Sequence, residues 1–554
     1  MLIAGVLPLA TVTAQAASGV GDDAVPIPVH GTRIRIGGLW SNYDSRFATT
    51  ADGTYKRSGL FAGYSRDNLG AADISSLIFT QTNIRTLSGL GSAFNLSLGR
   101  LEASGSVTKS VVPFQLDVGI RKRLSVGIVV PYVQTTADNK FVLNRGGTGA
   151  TVGENPAKSS TAGASARVIN GLLLSQIDAA RAALTAEVAR CADVAATGGG
   201  CDAIRANPAA AQSLLTQSST IRSQLVAVYG TADATGALLV PISKSPAQTA
   251  VESAIGNLRT NFQQYSVSSI DGTKLPQGAT LIYGPAGLQA LVKDGALGLA
   301  YDSLAQGGRS GVGDIDLTAT LLLFDSFNTS QTKRLEASKR AVRSTLTAGW
   351  RFGTATGART RRPFDVPTGD GANALLLRST TDLIFGKRWW VSATGRYVKP
   401  LEDNVVARFP GLDDSNLFQP AQILSGTRSL GARTEFEIAP RYAINSFFGL
   451  SMAYGIGHQN SSTITSNVIT VADQSGTGTA QANGISTSYS LATTVQALQV
   501  GVTYSTLTGF VKRHSRWPIE ITYSHGVTLT ASGGPVPSIT SDRVELRVYT
   551  RFPR

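Results

Sequence analysis

Nucleophilic catalysis in this chain would have to be built from four histidines, His30, His458, His514 and His525, one of which follows a serine as Ser524-His525. A serine nucleophile needs its base within hydrogen-bond reach and a third group to orient that base. Ser524 and His525 lie in an alternating segment, where neighbours point to opposite faces, so they cannot form the pair. No orienting group is identifiable for any histidine, and the chain is not expected to be an enzyme. Asp314 and Asp316 share one face at i, i+2 and offer two oxygens to a cation, fewer than a hard cation takes, so a solvated strand face is expected instead. The glycine-rich run from Gly146 to Gly153 lacks the Gly-Lys-Ser/Thr ending that cradles phosphate. Cys191 and Cys201 have no histidine nearby in sequence to complete a zinc set; in an exported chain they read as a disulfide closing one loop. No metal, cofactor or reaction is expected from these residues.

Many of the other charged residues fall in segments of period two. Arg433, Glu435 and Glu437 alternate with Thr434, Phe436 and Ile438; Arg378 and Asp382 lie opposite Leu377 and Leu383; Arg543, Glu545 and Arg547 lie opposite Val544, Leu546 and Val548. Asp314, Asp316 and Arg396 belong to the same polar side. Similar alternation runs through Phe114/Leu116/Val118/Ile120, Leu124/Val126/Ile128/Val130, Leu346/Ala348/Trp350/Phe352, Phe448/Leu450/Met452/Tyr454 and Ile519/Ile521/Tyr523. These are amphipathic strands, many of a length suited to crossing a bilayer.

Alternation alone does not say which face is wet: a soluble sandwich would turn the charges outward, a membrane barrel inward. Three features favour the barrel. Turns are short after Ile120, Phe385 and Ile444 and long after Phe352, Val398, Tyr454 and Leu529, the asymmetry of outer-membrane barrels. Aromatics gather at strand ends, where Trp389, Trp390, Tyr442, Phe447, Trp517 and Phe552 are expected to form interfacial girdles. Met1 to Ala16 reads as an export signal ending in Ala14-Gln15-Ala16, although its basic leading segment is missing and the true start is expected upstream.

Parity then counts strands. Eleven run from about 111 to 552, and Thr32 to Asp44 and Phe94 to Val107 both look extended. The barrel needs at least twelve antiparallel strands, or fourteen if a weak strand lies near 74 to 86. Residues 17–137 and 311–554 supply the barrel, and 138–310 form a loop insert expected to be extracellular. Within it, about 160 to 265 has helical spacing, with stripes such as Leu173, Ile177, Ala180 and Leu184. Asn207-Pro208 and Ser245-Pro246 each read as a cap followed by proline at the first helical position.

Composition narrows the class. Of 554 residues 42% are apolar and 16% charged, too apolar for a disordered chain. No run of 18 apolar residues occurs, which excludes a helical membrane bundle. The net charge, 50 − 36 = +14, favours anionic partners, lipopolysaccharide phosphate among them. The cations are scattered, Arg359, Arg361 and Arg362 being the densest cluster, so nucleic acid is not expected.

RLSVGIVVPYV from Arg123 and GVGDIDLTATLLLF from Gly311 resemble the outer-membrane transporters of the phenol-degradation (MetA-pathway) type, and more distantly the long-chain fatty acid and aromatic hydrocarbon channels. The matching features are Pro131-Tyr132 at a strand end and Gly311-Val312-Gly313-Asp314 at a strand opening, over roughly 111 to 135 and 311 to 553. The helical insert and the final Pro553-Arg554 depart from that pattern. The resemblance implies uptake of hydrophobic or aromatic small molecules and assigns no binding residue. The reading is a bacterial outer-membrane channel for passive uptake of small hydrophobic or anionic solutes, its charges lining the lumen. The alternative is a surface protein anchored by the barrel, with the helices binding an extracellular or oligomeric protein partner.

Overall fold

The computed structural model describes residues 22–25, 27–49, 53–145, 149–278, 285–293, 295–299, 301–304, 307–326, 340–386, 388–409, 417–466, 468–472, 479–483, 486–507, 510 and 515–550. The expected export signal, residues 1–16, and Phe552 lie outside them.

Twelve strands form one closed antiparallel barrel: β1 (Thr32–Tyr43), β2 (Leu101–Arg121), β3 (Leu124–Leu143), β4 (Ile315–Asp325), β5 (Ala341–Phe352), β6 (Ala374–Phe385), β7 (Trp389–Pro400), β8 (Arg433–Ala443), β9 (Phe448–Gln459), β10 (Thr493–Ser505), β11 (Ile519–Gly533) and β12 (Thr540–Thr550). Each pairs with its sequence neighbours, and β1 with β12 closes the ring in the register Ile34↔Val548. Closure satisfies every strand edge without water, which is what a hydrocarbon environment demands. No helix among the described residues is long and apolar enough to cross a membrane. The segment near 74 to 86, weighed as a strand, is instead a helix, α1 (Ile78–Ser88), so the count is twelve and not fourteen. Its buried Ile84 and Leu87 are spaced by three, a helical interval. The stretch Phe94 to Val107, weighed as a strand of its own, is not separate: β2 begins at Leu101 and runs without a break to Arg121.

The apolar faces point outward. On β2 and β3 the outward residues are Val112, Phe114, Leu116, Val118, Ile120 and Val126, Ile128, Val130, Tyr132, with Val112 paired to Tyr132. Beyond that pair the outward side turns polar at Ser110, Thr108, Gln134 and Thr136. From Val112 to Ile120 is about 26 Å of strand at roughly 3.3 Å per residue, on the order of the 25 Å apolar band of membrane barrels. The two strands continue past the band as a projecting hairpin. Trp40 lies beside Ser110 at the edge of the band, its ring folded over Gly38, where a Cβ would come within 2.5 Å of the indole.

At the end bearing the long loops, helices α2 (Gly163–Cys191), α3 (Cys201–Ala206), α4 (Pro208–Tyr229), α5 (Pro246–Gln263) and α6 (Pro285–Lys293) build a cap. Asn207 and Ser245 cap their helices, accepting from the N–H of Ala210 at 3.0 Å and of Gln248 at 3.1 Å. The insert shares its core with other loops. One hydrophobic core joins Ile177, Leu225 and Phe262 of the insert to Ile84 and Leu87 of α1, Phe364 of the β5–β6 loop and Phe418 of the β7–β8 loop. Phe61 and Tyr64 of the β1–β2 loop, Phe141 of the hairpin and Phe364 of the β5–β6 loop meet at ring-centroid distances of 5.1–6.4 Å where cap meets barrel.

Candidate functional site

The inward face of the barrel is ionic and closely paired, and the chain's own N-terminal segment enters it. The carboxylate of Asp22 lies 3.0 Å from Arg378 and 3.0 Å from Arg396, and its carbonyl accepts from Arg441 at 3.0 Å. Asp23 pairs with Arg547 at 3.2 Å and Arg33 at 3.6 Å, and the N–H of Ala24 donates to Asp382 at 2.9 Å. The segment then leaves along β2: His30 and Gly31 exchange backbone hydrogen bonds with Gly119, over which the Pro28 carbonyl passes so closely that a Cβ there would come within 2.1 Å. Burial by itself would raise the Asp22 carboxyl, but Arg378, Arg396 and Arg35 outweigh it and hold the group below the ordinary carboxylate range. Asp23 is depressed in the same way, burial being overcome by Arg33 and Arg547.

The charges expected in the lumen are distributed along this wall. Asp316 takes a two-pronged pair from Arg351 at 2.7 and 2.8 Å. Asp382 accepts from Arg343 at 2.8 Å and from the Ser392 hydroxyl at 2.8 Å. Arg396 also reaches Glu435 at 2.7 Å and Glu437 at 3.3 Å. Glu545 sits between Arg543 and Arg547, the latter at 2.6 Å. Arg433 pairs at 2.9 Å with Asp370 of the β5–β6 loop. Asp314 has a different job: at the mouth it accepts from the backbone N–H of Ala355, Asp370 and Gly371 at 3.1, 2.8 and 3.2 Å, folding that loop over the opening.

Sequence reasoning missed Asp22, Asp23, Arg33, Arg35, Asp117, Arg343 and Arg351. Two signals were present: Arg33 and Arg35 alternate with Ile34 and Ile36, and two adjacent acids follow the expected cleavage site of a basic chain.

Above the Asp22 cradle the lumen opens into a cavity of about 180 Å³. Leu39, Val111, Val398, Val495, Ala497 and Val527 make its walls, and Arg396, Arg433 and Glu435 reach it as well. Engineered apolar cavities of about 150 Å³ hold benzene, so one small ring fits.

Trp389 and Tyr442 meet at a tilt with centroids 4.9 Å apart at the short-turn end, beside Phe447 stacked on Tyr504 at 6.3 Å and an exposed Trp517. Trp390, expected at the lipid boundary, points inward, its ring between Arg343 at 5.4 Å and Arg441 at 5.2 Å. Successive side chains of a strand face opposite ways, so both tryptophans of the pair cannot meet lipid. Ser524 faces the interior and accepts from Gln499 at 2.8 Å, whereas His525 faces outward and meets Asp542 at 3.0 Å. Cys191 and Cys201 are joined in the cap. Glu187 lies beside them with its carboxyl drawn down to about 2 by Arg190 and the N–H of Gly200; with both sulfurs bonded to each other, the trio offers no thiolate to a metal.

No family model matches the chain, and no curated protein matches it. Among solved structures it is similar to an outer-membrane channel from Pseudomonas putida F1, at 9% identity and a TM-score of 0.37, covering 95% of this chain and 98% of that one. It is similar to the toluene transporter TodX of Pseudomonas putida at 11% identity and 0.24, covering 96% and 94%. It is similar to the toluene transporter TbuX of Ralstonia pickettii at 9% and 0.26, covering 95% and 90%. Likeness at this level assigns neither substrate nor residue roles.

Proposed function

We propose that this chain is a bacterial outer-membrane channel through which small solutes with an apolar body, neutral or carrying one anionic group, pass without a reaction. The observation that carries the reading is the apolar cavity of about 180 Å³ inside a closed barrel, bordered by Arg396 and Arg433. The arrangement suits a solute that moves between greasy walls and is steered by a fixed cation, while ion pairs across neighbouring strands keep the wall polar. Asp22 and Asp23 take up arginine charge that would otherwise face the path, so the field felt by a solute is weaker than the net charge suggests. In this reading the short-turn end, where the N-terminal segment enters, faces the periplasm. The helical cap and long loops face outward into lipopolysaccharide, and the lumen charges from Asp316 to Arg547 line the route.

Liposomes containing the full chain and loaded with a quenchable reporter test this. Benzene-sized aromatics and their monocarboxylates are expected to enter several-fold faster than a neutral sugar of similar mass. Equal entry of all three, or none above protein-free vesicles, would remove the reading.

A further inference from the structure

The rim at the short-turn end carries a set of exposed cations on its turns. Arg121, Lys122 and Arg123 form the whole β2–β3 turn and are exposed, as are Arg340 ahead of β5, Arg388 ahead of β7 and Arg516 ahead of β11. None of the six has an acidic partner among the described residues, and no exposed acid is described on these turns. The opposite rim is mixed: Arg100 lies 3.8 Å from Glu102 and 3.9 Å from Asp67, and Arg145 is 3.8 Å from Glu102. The cations also sit next to outward-facing aromatic or aliphatic side chains. Arg388 precedes Trp389 and donates to the Tyr442 hydroxyl at 3.3 Å, Arg516 precedes Trp517, and the Arg121 turn follows the outward Ile120.

From this geometry we infer that the short-turn rim is a collar that binds the phosphodiester headgroups of acidic phospholipids in the leaflet it touches. A guanidinium grips a phosphate through parallel N–H donors, and indole and phenol rings settle at headgroup depth. A turn of three cations at the end of an apolar strand face therefore brings charge to the lipid phosphates while the chains lie against Ile120 and its neighbours. Lipid association through such basic segments is electrostatic and favours anionic over zwitterionic headgroups. The inference uses the bilayer-spanning part of the proposed function and not its solute path.

The test uses the full chain in neutral detergent, with native mass spectrometry counting retained phosphatidylglycerol and phosphatidylcholine of matched chains. Wild type is expected to retain the acidic lipid about tenfold better. Joint replacement Arg121→Gln, Lys122→Gln, Arg123→Gln, Arg388→Gln and Arg516→Gln should bring the ratio close to one. Arg100→Gln with Arg145→Gln on the opposite rim should leave it unchanged, and the charge-keeping set Arg121→Lys, Arg123→Lys, Arg388→Lys and Arg516→Lys should preserve it. Equal retention by wild type, or equal loss from both rims, overturns the collar. Displacement of the acidic lipid by millimolar inorganic phosphate overturns it too, since the rim would then bind any small anion. Aromatic flux is recorded for the same preparations: absent flux with intact lipid preference removes the solute path and leaves the collar standing.

Discussion

The carboxylate of Asp22 and the guanidinium of Arg396 lie 3.0 Å apart although 374 positions separate them in the chain. Arg396 thereby serves three carboxylates, Asp22, Glu435 and Glu437, while almost wholly shielded from solvent. The pairing ties the N-terminal segment to the barrel wall, alongside the contacts of Asp22 with Arg378 and of Asp23 with Arg547.

Replacing both acids, Asp22→Asn with Asp23→Asn, leaves the segment without its two charged anchors. Planar-bilayer conductance is expected to rise at least two- to threefold and to become more anion-selective, because Arg378, Arg396 and Arg547 then face the path. Unchanged current and selectivity would mean that the segment does not obstruct conduction.

Arg396→Met should be far more damaging to the fold than either acid change. Removing one member of a buried ion group strands the others, at a cost of about 3–5 kcal/mol. A denaturant titration followed by tryptophan emission reads the loss. A midpoint equal to wild type would show that Glu435 and Glu437 find other partners.

The seating of the segment should be insensitive to pH through the neutral range. Both carboxyls are depressed in the folded state below their ordinary 3.8, so their contribution is complete above that value and disappears as pH falls through the depressed ones. Conductance is expected to hold steady from pH 8 to pH 4 and to rise only in stronger acid. A rise centred near pH 6 would point to a histidine instead.

Filling the cavity tests the solute path directly. Ala497→Trp projects an indole into a space bordered by Leu39, Val398 and Val527. It should cut flux of benzene-sized solutes about tenfold while the heat-stable barrel signal in circular dichroism persists. Full flux would place the route elsewhere.

Opening the disulfide should loosen the cap and spare the barrel. Cys191→Ser with Cys201→Ser removes a link closing ten residues of sequence separation, worth about 2–3 kcal/mol. The helical signal is expected to melt earlier, with the strand signal unchanged. A common shift of both would mean that cap and barrel unfold together.

In the sequence the period-two alternation was enough for the barrel, the cysteine pair for the disulfide, and the cap-then-proline pairs for the helix starts at Asn207 and Ser245. Each is set by spacing along a few residues, and local geometry translates spacing into faces and turns. The strand weighed near 74 to 86 went the other way because α1 is chosen by what it packs against: Ile84 and Leu87 enter a core that also takes in Ile177, Leu225, Phe262, Phe364 and Phe418 from far along the chain. Trp390 likewise reads as an interfacial aromatic until the strand pleat turns it toward Arg343 and Arg441. The union of four loops in one cap, the folding of the β5–β6 loop onto Asp314 and the placing of Asp22 among arginines were decided by tertiary structure alone. A charge finds its partner by closeness in space, and barrel closure brings together residues that no period along the chain connects.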